Sequence, residues 1–436
     1  MRCVSVRRCV QSMVVLLVTC HVSLVTASSV WADEPSNAEL KEEIQNLKTR
    51  LSQLEAKLEK GPDSSTVPPT GGESSGPAML GLPSGLQGVQ LSGFVDTIYT
   101  YNFNEPNNRV SGFRVFDTRA EDFMINNAQL TLEKPVSSES PVGFKTELMF
   151  GTDAEVVGSV TTGLGVLNNE VELQEGYAEY LAPVGNGLDI KLGKFATLHG
   201  AEVIESKDNW NISRSFLFGF AIPFTHTGVR ATYPWTEWLS TVVGLSNGWD
   251  VVDDNNKAKT VELGATVTPF QNFSLGGTYM FGAEQNSDSH DQRHLLDLVA
   301  TYQPLEKLTL KLNVDIAQEE DAISETGGGN AHWNGLAAYA KYDVTDWWSV
   351  AGRWEVFNDD DGARTAVNAA STSPTGSGIE DLRLMGWTLT NEVRLNKHLI
   401  GRLEYRLDKA DSKVFRHDQG FSNYQNTVAV ELIAPF

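Results

Sequence analysis

Apolar and polar residues alternate through much of the chain with a period of two. In 308–316, Leu308, Leu310, Leu312, Val314 and Ile316 share one face, and Thr309, Lys311, Asn313 and Asp315 share the other. In 399–408 the faces are Leu399, Gly401, Leu403, Tyr405 and Leu407 against Ile400, Arg402, Glu404, Arg406 and Asp408. The chain ends the same way: Val428, Val430, Leu432, Ala434 and Phe436 fall on one side, with Thr427 and Glu431 opposite. Period two is the spacing of a strand whose faces meet different surroundings, so this pattern predicts an all-β protein.

Short breaks near 134–141, 182–187, 234–237, 269–272, 304–307, 344–346 and 396–398 separate these segments from longer polar stretches. The long stretches are 104–122, 151–170, 199–226, 247–259, 283–293, 317–334, 358–381 and 409–426. Seven turns and eight loops join about sixteen strands, and short turns at one end with long loops at the other predict a transmembrane antiparallel up-and-down β-barrel over 89–436. A soluble sandwich also alternates, with its apolar face inward. A sixteen-strand barrel is too wide to fill with side chains, so its polar face is expected to line water and its apolar face to meet lipid. Tyr233, Trp235, Trp238, Phe270, Phe273, Trp347 and Trp348 cluster beside the short turns, as an interfacial girdle would. A last strand ending in Phe436 matches the signal by which barrel-assembly machinery recognises such proteins. Pro435 lacks a backbone donor, so pairing is expected to weaken there.

The N-terminus follows other rules. Arg2, Arg7 and Arg8 precede an apolar run from Met13 to Val25 and small residues up to Ala32, which predicts a signal peptide over 1–32. A lipoprotein reading of Leu17 to Cys20 suffers from Thr19 where a smaller residue is usual. Over 33–60, Leu40, Ile44, Leu47, Leu51, Leu54 and Leu58 are spaced 4, 3, 4, 3 and 4 apart. This a/d seam predicts a short N-terminal coiled-coil helix that associates with copies of itself, the alternative being a helix packed on its own domain. Residues 61–88 are rich in Gly, Pro, Ser and Thr and read as a flexible linker.

Composition narrows the partners. Among 436 residues, no apolar run of 18 follows the leader, which excludes a helical membrane bundle and leaves a barrel open. Removing the leader removes three arginines and no acid, leaving 31 basic against 56 acidic residues, a net of -25. That balance argues against nucleic acid. All three cysteines (Cys3, Cys9, Cys20) lie in the leader, so the mature chain has no thiol chemistry.

The candidate chemistry is sparse. Loop 199–226 is long, rich in aromatic, charged and amide residues, and free of low-complexity character. Glu202, Glu205, Lys207, Asp208, Asn209, Trp210 and Arg214 are therefore expected to form a pore constriction, with Asp208, Asn209 and Arg214 alternatively pinning the loop to the wall. Lys191, Lys311, Asp315, Arg402, Glu404 and Arg406 are expected to face the lumen. There Lys194, Arg230, Arg353 and Arg394 are interleaved with Asp189, Glu392 and Asp408 as a salt-bridged wall, the alternative being a basic ladder that favours anions. The acidic runs at 253–254, 319–321 and 359–361 are expected to be solvated loop charge or weak divalent bridges to lipopolysaccharide. None has calcium-loop spacing. No HExxH or GxSxG motif occurs, so neither a catalytic residue, a metal site nor a cofactor is expected.

Residues 93–97 (GFVDT), 99–106 (YTYNFNEP), 192–195 (LGKF), 202–227 (EVIESKDNWNISRSFLFGFAIPFTHT) and 247–250 (NGWD) resemble the β-barrel porins of the OmpL-like type, over a body from about Leu91 to Phe436. The resemblance implies an outer-membrane barrel for passive diffusion of ions and small hydrophilic solutes, without naming a substrate. With the stalk in the periplasm, a homotrimer is expected. The alternative is a structural or adhesive surface protein that uses the barrel as an anchor.

Overall fold

The computed structural model describes residues 88–158, 171–322, 329–365 and 381–436. The leader, the heptad seam from Leu40 to Leu58 and the spacer up to residue 87 lie outside the described residues.

The strands are β1 (Gln90–Asn102), β2 (Asp122–Lys134), β3 (Val142–Phe150), β4 (Val171–Ala182), β5 (Leu188–Ala196) and β6 (Thr225–Thr236). There follow β7 (Leu239–Ser246), β8 (Thr260–Phe270), β9 (Phe273–Ala283), β10 (Gln292–Leu305), β11 (Leu308–Glu319) and β12 (Ala331–Thr345). Last come β13 (Trp348–Asp359), β14 (Leu382–Asn396), β15 (Leu399–Ala410), the short pair β16 (Phe415–His417) and β17 (Gly420–Ser422), and β18 (Tyr424–Pro435). All but β16 and β17 form one closed barrel of consecutive antiparallel neighbours, with β1 pairing to β18. Sixteen strands thus close without a free edge, as a membrane requires.

Alternation sets the two faces. On β15, Ile400, Arg402, Glu404, Arg406 and Asp408 are buried inward, while Tyr405 stands 46% exposed on the outer wall. On β18, Val430 and Leu432 point out, as does Phe436 just beyond it, and Thr427, Ala429, Glu431 and Ile433 point in. Pairing does not weaken at Pro435. It lies opposite Phe94, and beyond it Phe436 N–H donates to Gly93 O at 3.0 Å while Gly93 N–H donates to Phe436 O at 3.2 Å. The residue without a donor simply faces a position where none is needed.

The lumen differs from the expected water-lined cylinder. On β9 to β15 the inward residues nearest the long loops are apolar and buried: Met280, Leu295, Ala317, Trp333, Ala337, Phe357, Leu382, Leu384 and Ala410. Packed against them inside the barrel are Phe113 and Phe116 from loop 103–121, Ala154 and Val157 from the helix α1 (Thr152–Val157), and Phe216 to Phe224 from loop 197–224. Side chains on the wall alone could not fill so wide a barrel, but folded-in loops carrying aromatics do. The loop-side half therefore holds an apolar core, whereas Lys191, Lys341 and Lys145 toward the turn end keep side-chain exposures of 28%, 20% and 19%.

Two acidic runs also depart from expectation. Glu319 is buried against Arg293 Nη2 at 2.7 Å, and Asp359 is buried, accepting from Thr365 N–H at 2.8 Å and Arg364 N–H at 3.0 Å. Each pins a loop stem to the wall instead of carrying solvated charge.

Candidate functional site: the lumen loop and its anchors

Loop 197–224 leaves β5 and returns to β6, yet its main anchors lie on β13, β14 and β15. In the ring of sixteen, β13 stands eight strands from β5 in either direction. The loop therefore crosses the lumen to the opposite wall.

Inward charges on that wall hold it by its backbone. Glu404 accepts from Ile212 N–H at 2.7 Å and from Ser213 N–H at 3.0 Å and Oγ at 2.5 Å, with Thr390 Oγ1 a further donor at 2.7 Å. Arg353 donates to Ser213 O at 2.6 Å and Arg214 O at 3.2 Å while pairing with Glu202 at 2.7 Å and Glu355 at 3.0 Å. Arg402 donates to Ser206 O and Asn209 O, both at 2.8 Å, and pairs with Glu392 and Glu431. Arg406 donates to Arg214 O at 2.6 Å and lies over the Phe216 ring. Farther along, Phe216 N–H donates to Glu355, Trp333 Nε1–H to Ala221 O and Arg364 to Phe220 O. Such donors and acceptors would each be costly to bury unpaired, so the wall and the loop complete one another.

Seven loop residues carried the sequence expectation. Glu202 is buried, accepting from Ser215 N–H at 2.7 Å and Oγ at 2.6 Å besides Arg353. Asn209 and Arg214 turn back onto their own loop: Asn209 bridges Val203 N–H, Val203 O and Glu205 O, and Arg214 donates to Val203 O, Ile204 O and Ile212 O. Both are internal clasps, and the Arg214 charge, bonded to neutral carbonyls, stays without an ion pair among the described residues. Trp210 carries Lys311 Nζ over its ring at 4.3 Å. Glu205 accepts from Gln174 at 2.5 Å, and Lys207 and Asp208 form an exposed pair at 2.5 Å. Of the wall charges, Lys191 pairs with Glu179 at 3.4 Å, and Asp315 is buried directly opposite Asp297.

Sequence reasoning missed Glu355, Trp333, Arg114 and Asp117. The first was legible, sharing the face of Arg353 two residues away. Arg114, which pairs with Asp117 and with Asp408 at 2.8 Å, lies in loop 103–121, where no periodicity signals folding inward.

The loop stems meet at a buried cluster. His226 Nδ1 lies 3.3 Å from Gly248 O, an acceptor only, so Nδ1 carries the proton. Thr197 Oγ1, 3.2 Å from His226 Nε2, then donates there and accepts from His199 Nδ1 at 3.0 Å. Burial holds the His199 imidazole down at about 3, with Glu262 opposing and His226 and Arg230 adding to the shift. His199, His226 and Glu262 sit close enough to suggest a metal site. Arg230 grips both Glu262 oxygens, at 2.8 and 3.1 Å, and its charge opposes a cation there, so the set fits a neutral hydrogen-bonded latch. In α1, burial pushes Asp153 up to about 8, with Arg214 opposing and Glu431 and Asp117 adding.

Residues 88–436 match the family described as "Putative beta-barrel porin-2, OmpL-like". The chain belongs to this porin family. No curated protein matches it at a significant level. Its barrel is similar to the anion-selective porin of Comamonas acidovorans (TM-score 0.51, 14% identity, 80% of this chain and 99% of that one). It is also similar to the outer-membrane channel DcaP of Acinetobacter baumannii (0.50, 13%, 80% and 97%) and to a trimer form of in-vitro folded OmpT of Vibrio cholerae (0.50, 11%, 80% and 99%). At these identities the likeness is one of fold. Family and fold together make this porin an outer-membrane β-barrel.

Proposed function

We propose that this porin passes ions and small hydrophilic solutes by diffusion past a constriction made by loop 197–224, with Glu205, Lys207 and Asp208 as its solvent-facing charges. The carrying observation is the loop's reach across the lumen to Glu404, Arg353 and Arg402 on the far wall. Glu202, Asn209 and Arg214 act as its internal frame, Trp210 as the platform for Lys311, and Arg406 as a further anchor. Lys191 and its neighbours line a vestibule at the turn end. The heptad helix over 33–60 works as a periplasmic stalk supporting a trimer. Stepwise current from purified, folded protein in planar bilayers tests the reading, and a persistent lack of current would remove it.

The second reading, an anchor for surface loops, draws on the apolar core filling the loop-side half of the lumen. It is favoured if the folded barrel conducts only after loop 197–224 is released from the wall.

A further inference from the structure

The arc of wall from β1 to β4, which begins two strands beyond β15 in the ring, is polar, and two β-bulges shape it. Between β1 and β2 the register shifts after Asp96, so Asn126 is an extra residue and both Asn126 and Asn127 are buried. Between β3 and β4 it shifts after Glu147, so Gln174 is extra and buried beside Glu175. Bulges of this kind re-aim side chains next to functional sites.

The side chains gathered there have spent their donors. Gln129 Nε2 donates to the Glu147 carboxylate, which can only accept, so Gln129 Oε1 receives Asn127 Nδ2 at 3.0 Å. That chain commits the Asn127 amide nitrogen and leaves its oxygen as the free end. Gln174 Nε2 is fixed likewise by the carboxylate of Glu205. Asn127 Oδ1, Gln174 Oε1 and both carboxylate oxygens of Asp96 are left buried without a partner among the described residues. Asp96 is 1% exposed and stands directly opposite Asn127, and the Ser206 hydroxyl lies near it outside hydrogen-bond geometry.

Charge points the same way. Lys194 is committed to Glu172, Lys145 to Glu147 and Glu175, and Arg402 to Glu392 and Glu431. Asp96 and Glu205 have no ion pair among the described residues; the buried Arg214, which donates to backbone carbonyls, and Arg402 act on Asp96 through space without pairing to it. Buried oxygens that can only accept, with no positive side chain in contact, suit a hard cation, which takes carboxylate and amide oxygens as ligands.

We infer that the strip from Asp96 through Asn127 to Gln174 and Glu205 is a cation-binding site that makes the passage beside the lumen loop cation-selective. The inference rests on the porin reading for its transport consequence and not for binding itself. Entry is from the turn end, where Lys207 and Asp208 flank Glu205 in contact with solvent.

The test uses purified, folded protein in two measurements: reversal potential across a KCl gradient, and calorimetric titration with CaCl2. Expected are potassium favoured over chloride, calcium binding, and a fall in both by at least about threefold in Asp96→Asn, since one charge in a low-dielectric seam dominates the local field. Gln174→Leu, which keeps every charge, should weaken calcium binding as well. Chloride preference, or selectivity unchanged in Asp96→Asn, overturns the inference while leaving the porin reading intact. Folded protein without current overturns the porin reading instead, and the titration then decides: binding lost in Asp96→Asn upholds the site, and binding absent or unchanged overturns it.

Discussion

Gly93 and Phe436 exchange backbone hydrogen bonds in both directions across the barrel seam, and the Phe436 ring lies over the glycine. A Cβ on Gly93 would fall 2.6 Å from the ring and 2.2 Å from Gln129 O. The first and last strands thus close on a residue with no side chain.

Substitution there should act on closure. Gly93→Val is expected to lower the yield of heat-modifiable, folded barrel in electrophoresis. Deletion of Phe436 should do the same while leaving conductance per surviving barrel unchanged. Normal folding of both variants would show that the seam tolerates a side chain and needs no terminal aromatic.

Glu404 is the acceptor at the centre of the loop's far attachment. Glu404→Gln keeps one acceptor oxygen and places an amide donor against either Ile212 N–H or Ser213 N–H, which bond different oxygens of the carboxylate, at a cost of about 3 kcal/mol for the stranded donor. A larger, noisier single-channel conductance is expected from a barrel that still folds. Wild-type conductance in that variant would mean that the loop is held elsewhere.

Acid acts on the lumen loop through two opposed groups. The folded His199 value, about 3, lies below the ordinary 6.5, so its neutral form is the folded one. The stability it contributes is complete above 6.5 and lost as pH falls through that window. Asp153 acts oppositely: raised from 3.8 to about 8, it contributes most below 3.8 and loses that contribution as pH rises toward 8. Between 6.5 and 3.8 the two groups oppose each other, so each shows when the other is removed: limited proteolysis of loop 197–224 should accelerate on acidification in Asp153→Asn and slow on acidification in His199→Gln. A rate independent of pH in both variants would contradict both assignments.

For the stalk, Leu47→Asp with Leu51→Asp is expected to shift the particle from trimer toward monomer in light scattering without preventing barrel formation. An unchanged mass would assign the oligomer to the barrel walls alone.

Much of the wall was legible because alternation is a local property. On β11 and β15 the residue that faces lipid and the one that faces inward differ visibly in type, and short turns mark where direction reverses. The lumen's contents were not. Phe113, Phe116 and Phe216 to Phe224 sit in stretches without period, and whether an aromatic loop folds in or out depends on partners hundreds of residues away, such as Trp333 and Glu404. The same remoteness hid the bulges. Asn126 and Gln174 look like ordinary alternation errors until the neighbouring strand supplies the register.

The apolar core inside the loop-side half walls the inner surface of β9 to β15 off from the lumen there, so the strand stretches around Trp333, Phe357 and Leu384 meet packed aromatic and aliphatic side chains on that surface. Deuterium should enter the backbone amides of those stretches last, long after it has labelled the turn-side ends of the same strands, so each strand carries a gradient of exchange along its own length.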